Sequence, residues 1–597
     1  MKELQALLPY LKRYRWPIAA GVFFVVVSNL FTVWNLDYVQ RAVDVLERPD
    51  RTARLIFRFA ALSVLLAFLA GAARYAMRQI LNGVSRKVET DLRDDFFAHL
   101  LRLDASFYAA HPTGEIMSRA TNDIQAVRMV AGPAYMYLVN TVVQGVLFTW
   151  RMVEIDGSMT FWSLLPLLLL APVTIFFGKI IHDGFERIQD QLGVVSTMAQ
   201  ENLAGQRIVK AYGQEDDQVA RFAAQAREYS DRNVALARTS GLFYPALGLL
   251  SGAALVVALW LGGQARMRGE ITNGQLVVFL MYLGMLTWPM IALGWVINLF
   301  QRGAASMGRV SRILAARPRI VPPAEPALPE AVRGEIEFRN VSFRYPGTER
   351  WVLRDLSFRV PAGATVAVVG PTGSGKSTVV SLMARLFDPT EGEVLLDGVP
   401  LPRWELDALR RSVAMVPQDT FLFSATLEEN LALGFDEPDP DARLGRVRAA
   451  ARVARLDDTA MALPGGYGTV LGERGINLSG GQKQRASLAR AVARDGALLL
   501  LDDALSAVDT HTEHEILEEL RGVLRGRTSV IVSHRVTAVK DADRILVLDD
   551  GRVAEAGTHD ELLRRGGVYA ALQRRQLLAE DLAGDDLLAA AGGEVLD

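Results

Sequence analysis

The sequence contains no cysteine, which removes disulfide staples, thiolate metal sites and a cysteine nucleophile from consideration together. It has no surplus of charge either: 65 Lys and Arg stand against 67 Asp and Glu, a net charge of -2. A chain without a cationic excess is poorly equipped to wrap a phosphate backbone, so no nucleic-acid partner is expected. Apolar residues are not scarce. They make up 50% of the 597 residues, which excludes a disordered chain and a stapled miniprotein. They are unevenly spread, and six stretches long enough to cross a bilayer fall before about residue 305.

Lys2, Lys12, Arg13 and Arg15 precede the first apolar segment, Trp16 to Leu36, and no small-residue cleavage site follows a short apolar core. A retained first span with its basic flank in the cytoplasm is expected. The further expected spans are Leu55 to Met77, Ala131 to Val153, Phe161 to Ile181, Leu242 to Leu261 and Leu276 to Phe300. An even number returns the chain to the cytoplasm. Residues 78 to 130 and 182 to 241 are long, charged connections, and over Leu81 to Leu103 and Arg187 to Arg238 their apolar spacing predicts helical hairpins projecting beyond the bilayer. Each hairpin has a break, Ala110 to Glu115 and Ala211 to Asp216, that reads equally as a short transverse element or a surface turn. Asn29, Asn35 and Asp37 in the first span, with Asn298, Gln301 and Arg302 at the end of the sixth, are polar groups that could line a cavity. Asp37, about 30 Å along a helix begun at Trp16, is more simply an outer-interface residue, and Arg302 a cytoplasmic anchor.

Five prolines, Pro318, Pro322, Pro323, Pro326 and Pro329, mark a linker over 316–333 between a membrane domain, 1–315, and a soluble domain, 334–577. In the latter, short β-branched runs alternate with helical ones, as in an α/β domain with a mainly parallel sheet. Strands are expected at Gly334 to Arg344, Val366 to Gly370, Ala497 to Leu501 and Thr528 to Ser533, a helix at Lys376 to Leu386, and a terminal hairpin from Ile545 to Asp549 and Arg552 to Glu555. The tail, 578–597, is acidic and rich in Ala and Gly, and is expected to fray.

The strongest chemical signal is Gly370-Pro371-Thr372-Gly373-Ser374-Gly375-Lys376-Ser377-Thr378, between an apolar strand and an apolar-periodic helix. Its glycines let successive N–H groups turn toward a triphosphate, Lys376 reaches the β- and γ-phosphates, and the Ser377 hydroxyl can ligate Mg²⁺. Asp502, at the end of an apolar strand, is the candidate carboxylate for that metal. Asp503 follows, where it could polarise an attacking water. Gln418 and His534 also sit at strand ends, placed to bridge metal, water and γ-phosphate. Leu478-Ser479-Gly480-Gly481-Gln482 opens a second helix whose start offers N–H groups and partial positive charge to an anion. One phosphate loop already holds the triphosphate, so this second anion site is explained by two such domains meeting head to tail, each serving nucleotide held by the other.

In this combination the chain resembles a half-size ATP-binding cassette (ABC) exporter over roughly residues 10 to 577. The resemblance implies an all-α membrane domain of six transmembrane helices in the type IV ABC exporter fold, followed by an α/β P-loop nucleotide-binding domain that uses ATP and Mg²⁺. It makes Gly370 to Thr378 the Walker A loop, Gln418 the Q-loop, Leu478 to Gln482 the signature, Asp502 the Walker B aspartate and His534 the switch histidine. Tyr345 resembles the aromatic that stacks on adenine, Ser506 to Asp509 the D-loop, Gly472 to Gly475 the loop facing the membrane domain, and the breaks near Pro112 to Asp123 and Tyr212 to Asp217 the coupling helices. One departure stands out: the family's catalytic position after the Walker B aspartate normally holds Glu, and here it is Asp503. The resemblance therefore implies export of hydrophobic, lipid or peptide substrates as half of a dimer, expected to be a heterodimer whose other chain carries the Glu. A homodimeric lipid or peptide exporter or flippase with two slow ATP sites is the alternative. The setting implied is the bacterial inner membrane, in contact with its lipids, with N-terminus and nucleotide-binding domain cytoplasmic.

Overall fold

A computed structural model describes residues 2–47, 52–329, 331–536 and 538–578. From Ala579 onward the expected tail lies outside them. The chain forms two compact units. One takes the chain up to Leu101 and Gly114–Ala316; the other takes Arg102–Thr113 and the chain from Arg317 onward.

The first unit is helical. Five helices among the described residues are long and apolar enough to cross a membrane: Arg15–Val45, Ala53–Leu100, Gly157–Ala204, Glu215–Met267 and Asn273–Leu314. The expected third span is a helix of 21 residues, Tyr135–Ile155, made less apolar by Asn140, Gln144 and Arg151. Large apolar side chains such as Phe57, Val64, Leu65 and Phe68 stand exposed on one helix, which is costly in water and favourable against lipid. At one close approach between helices the sequence supplies Gly132, at which a Cβ would meet the Ser85 Cβ at 2.5 Å. Wide π turns at Arg119–Asp123 and Val130–Ala134 interrupt the run that leads into Tyr135–Ile155. The second contains Pro133, whose ring and missing N–H disfavour a regular α-helical turn.

The hairpin breaks differ from expectation. Six-residue helices lie just upstream of them, at Ala105–Ala110 and Gln206–Ala211. Pro112 to Asp123 is not a coupling helix by itself but runs into the long helical stretch, and Tyr212 to Gln214 is a turn. The first short helix starts because the Asp104 carboxylate accepts from the Ser106 N–H at 3.0 Å. It stops because His111, preceding Pro112, is forced into extended backbone.

The second unit contains two sheets. Strands β1 (Ile336–Phe343), β2 (Leu353–Val360), β4 (Glu391–Leu396) and β5 (Val399–Pro400) form an antiparallel sheet in the order β2-β1-β4-β5. This sheet was not expected from the sequence. The other, ordered β10-β9-β3-β8-β7-β6, is built from β3 (Thr365–Val369), β6 (Val413–Val416), β7 (Leu498–Asp502), β8 (Thr528–Val532), β9 (Arg544–Asp549) and β10 (Arg552–Gly557). It is parallel except for the terminal hairpin. Its central strands are buried on both faces: Leu499 and Leu501 enter one core, Leu498 and Leu500 the other. The proline-rich linker is hydrogen-bonded to this unit, with Ala327 N–H donating to the Arg403 carbonyl at 2.8 Å and Glu405 N–H to the Ala327 carbonyl at 3.2 Å.

Candidate functional site

Strands β3, β8, β7 and β6 lie side by side and parallel, so their carboxyl ends make one edge, the edge at which open α/β sheets bind ligands. The Gly370–Gly375 loop leaves β3 and opens the helix Lys376–Met383; Asp502 ends β7; Gln418 follows β6 and His534 follows β8, each by two residues. Gly370 has φ +153°, and a Cβ there would stand 2.1 Å from the Leu548 carbonyl oxygen, so only glycine fits. Thr372, Gly373 and Ser374 carry the loop from Pro371 to the helix, with Ser374 buried.

Lys376 is 5% exposed and donates from Nζ to the carbonyl oxygens of Gly370, at 3.0 Å, and Pro371, at 2.8 Å. Burial lowers its pKa against the opposing pull of Asp503 and Asp502. The Ser377 hydroxyl donates to Asp502 Oδ1 at 3.0 Å and lies 3.5 Å from Gln418 Oε1. Burial raises the Asp502 pKa; the Ser377 hydrogen bond offsets part of this, Asp503 adds to it, and the charges of Lys376 and His534 oppose it. Ser377, Gln418 and Asp502 thus converge as hard oxygen donors suited to Mg²⁺, which when bound there would neutralise charge on phosphate oxygens.

Asp503 is half-buried. Its N–H donates to the Val532 carbonyl at 2.9 Å, and its φ of +49° is a left-handed conformation that Asp adopts several-fold more readily than most residues. His534 is exposed. The Tyr345 hydroxyl is 3.0 Å from Thr378 Oγ1, and its ring packs edge-on against Phe343 and Phe387. These aromatics border a cavity of about 600 Å³ that also includes Asp104 and Ser106, and the Tyr345 hydroxyl reaches the helix that follows the phosphate loop.

Ser479 caps the helix Gly480–Arg494 in a reciprocal box with Gln482: the Ser479 hydroxyl accepts from the Gln482 N–H, and the Gln482 amide oxygen from the Ser479 N–H. Gly480 and Gly481 form its first turn, with Gly481 against the Ala507 carbonyl. Among the described residues no hydrogen bond joins Ser479–Gln482 to Gly370–Thr378.

Several groups that join these elements were missed by sequence reading. Gln484 on the signature helix donates to the Ser506 hydroxyl at 2.8 Å and accepts from the Ala507 N–H at 2.7 Å, tying that helix to the segment after Asp503. Arg535, next to His534, pairs with buried Glu513. Asn430, 1% exposed, accepts from the Phe423 N–H at 2.7 Å and donates to the carbonyls of Phe423 and Thr426, while Arg490 donates to its carbonyl and side chain. The segment after Gln418 is thereby fastened to the signature helix. Only the buried polar character of Asn430 could have been a signal, and that becomes visible only in the fold. Asn430→Ala leaves several of these groups unpaired and is expected to destabilise the domain by about 2 kcal/mol; faster amide exchange confined to residues 421–432 would show it.

With the geometry in hand, comparison with known proteins is decisive. Residues 18–290 match the family model described as ABC transporter transmembrane region, and 353–506 that described as ABC transporter. The chain is 38% identical over 568 residues to the multidrug resistance-like ATP-binding protein MdlA of Escherichia coli strain K12, covering 95% of each. The chain belongs to the half-size ABC exporters. It is also 37% identical to the probable multidrug resistance ABC transporter ATP-binding/permease protein YheI of Bacillus subtilis strain 168, covering 95% of this chain and 97% of that one. A solved structure of a bacterial Atm1-family ABC exporter with ATP bound matches with a TM-score of 0.78 at 31% identity, covering 94% of this chain and 99% of that one. The exporter therefore has a multi-pass membrane domain in the type IV fold, a cytoplasmic nucleotide-binding domain, and ATP-hydrolysing translocase activity.

Proposed function

We propose that this exporter works as one half of a heterodimer that moves hydrophobic or amphipathic substrates outward, and that its own Walker site is the weaker of two. The observation that carries this is Asp503 beside an intact signature, Leu478 to Gln482. In the assembly, Lys376, the Walker A backbone and Tyr345 hold ATP on this chain, Ser377, Gln418 and Asp502 hold Mg²⁺, and His534 contacts the γ-phosphate. Ser479 to Gln482 completes the site on the partner, a non-identical half-transporter with Glu after its Walker B aspartate. That no hydrogen bond links Ser479–Gln482 to Gly370–Thr378 among the described residues of the chain is compatible with that division. ATP favours the closed form because it bridges both chains only there; closure turns the membrane cavity outward, and hydrolysis at the partner's site resets it.

Asp503 withdraws the water-activating carboxylate by one methylene, and a misplacement of about 1 Å costs roughly 100-fold in rate. Asp503→Glu is expected to raise turnover at this site. The left-handed backbone costs the longer residue about 1 kcal/mol, less than the roughly 2.7 kcal/mol equivalent to 100-fold. Turnover of the chain purified alone, then with the companion chain that co-purifies from its membrane, tests the pairing. Rapid, transport-coupled hydrolysis by the single wild-type chain would refute it, and slow hydrolysis indifferent to any second chain would assign a homodimer with two slow sites.

A further inference from the structure

Arg74 and Arg78, one turn apart on the helix Ala53–Leu100, and Arg302 on Asn273–Leu314 make no ion pair or hydrogen bond among the described residues. Some other cations of the same unit are matched: Arg128 meets Glu89 at 3.4 Å, and Arg151 and Arg309 pair with Asp37 and Asp123. Arg74 falls inside the expected second span and Arg78 directly after it. Arg74 is three residues from the end of that span, where an unpaired arginine costs less than the about 3 kcal/mol of a helix centre, and both side chains are exposed rather than packed among apolar neighbours, so the question is what they face.

Both line a cavity of about 220 Å³ between the helices Ala53–Leu100, Tyr135–Ile155 and Asn273–Leu314, together with Tyr137, Asn140, Gln144 and Trp288. The amide wall is held in place: buried Asn29 donates to Asn140 Oδ1 at 3.1 Å, and Asn140 donates to Gln144 Oε1 at 3.1 Å. Arg302 lines a second cavity of about 260 Å³ with Asn122 and Gln125, about 20 Å beyond Trp288 along the same helix. No carboxylate lines either cavity. A headgroup anchor would need only a lipid-facing surface. Two guanidiniums lining an interhelical cavity with oriented amides and aromatic rings instead match a ligand with an anionic head and an apolar body.

We propose that this cavity binds anionic amphiphiles, Arg74 and Arg78 taking a phosphate, sulfate or carboxylate head by charge-assisted hydrogen bonds while Tyr137 and Trp288 pack on the apolar part. Arg302, in its own cavity about 20 Å further along the helix, is not part of this contact. The inference rests on the exporter reading and names its substrate class.

The test uses the whole protein, in the oligomeric form in which it is isolated, placed in phosphatidylcholine nanodiscs and titrated with dodecyl phosphate and with dodecyltrimethylammonium. Dodecyl phosphate is expected to bind at least about tenfold more tightly, a gap of about 1.4 kcal/mol. The pair Arg74→Gln and Arg78→Gln should abolish that preference without weakening binding of the cationic probe, and Arg74→Lys with Arg78→Lys should keep it. Equal affinity for the two heads, or a preference that survives the Gln pair, overturns the proposal; if the Gln pair does not fold, the wild-type ranking and the Lys pair still decide. Nanodiscs containing phosphatidic acid separate the sources of the head: competition with dodecyl phosphate assigns a membrane lipid, and its absence a free amphiphile. ATP-driven movement of an uncharged dye in proteoliposomes is scored separately, so loss of transport counts against the exporter reading and loss of head-group preference against this one.

Discussion

Lys376→Ala is expected to cut hydrolysis at this chain's Walker site by at least about 100-fold, the scale on which a single charge-stabilising donor acts in a transition state. The buried ammonium is held by the carbonyls of Gly370 and Pro371 and lies within electrostatic reach of Asp502 and Asp503. It is thus fixed at the loop, and its desolvation strengthens whatever charge it meets. Alanine leaves the two carbonyls without that donor and Asp502 without a cation that opposes its raised pKa. Single-turnover hydrolysis of labelled ATP, alongside equilibrium binding of a fluorescent analogue, would separate chemistry from capture. Turnover within twofold of wild type would remove Lys376 from the mechanism. Lys376→Arg is not expected to rescue, because a planar guanidinium does not reproduce a compact ammonium under a tight loop.

The second large effect lies in the membrane unit. Asp123, 6% exposed, accepts from Ser306 Oγ at 2.9 Å, Arg309 Nε at 2.8 Å and Arg119 at 3.2 Å. Arg309→Ala strands most of a buried carboxylate and is expected to cost about 3 kcal/mol, the low end of the range for breaking a buried pair because Arg309 itself is partly solvated. A lower melting temperature in detergent would report it. Asp123→Asn in the same background should recover part of the loss, the signature of coupling between the two. Burial raises the Asp123 pKa, but the hydrogen bonds from Arg309 and Ser306 and the nearby cations more than offset this and leave it depressed. A depressed carboxyl gives stability that is fully present above its unfolded pKa of about 3.9 and is lost as pH falls through the folded value. Wild type should therefore lose stability below about pH 4 more steeply than Asp123→Asn.

What was legible in the sequence was whatever depends on contiguous residues. The strand, glycine loop and lysine at Gly370 to Lys376, the Asp502 that ends β7 and the Ser479 helix start are each short runs whose chemistry is local, and the structure places the first two together at one sheet edge. Elements fixed by distant partners were not legible. The antiparallel sheet of β1, β2, β4 and β5 is held by pairings such as Ile336 with Val360 and Leu396, which no local pattern announces. The short helix before Pro112 was misplaced because attention to a proline locates the end of a helix, whereas the Asp104 cap determines its start. The third span was read by length, and Asn140, Gln144 and Arg151 are polar because they face neighbours rather than lipid. The backbone conformation of Asp503 could not have been read from its identity, since Asp is compatible with several.

The short segment Arg102–Thr113 belongs to the unit built mainly from residues after Arg317, and the Asp104 carboxylate accepts from the Arg319 N–H. The polypeptide therefore crosses between the two bodies at three places. A recombinant fragment begun at the proline-rich stretch would lack a piece of itself, with the Arg319 amide stripped of its acceptor. Exchanging soluble halves between related transporters by cutting there alone would split that seam, and grafts that carry residues 102–113 along with the C-terminal half should express and fold better than grafts that leave them behind.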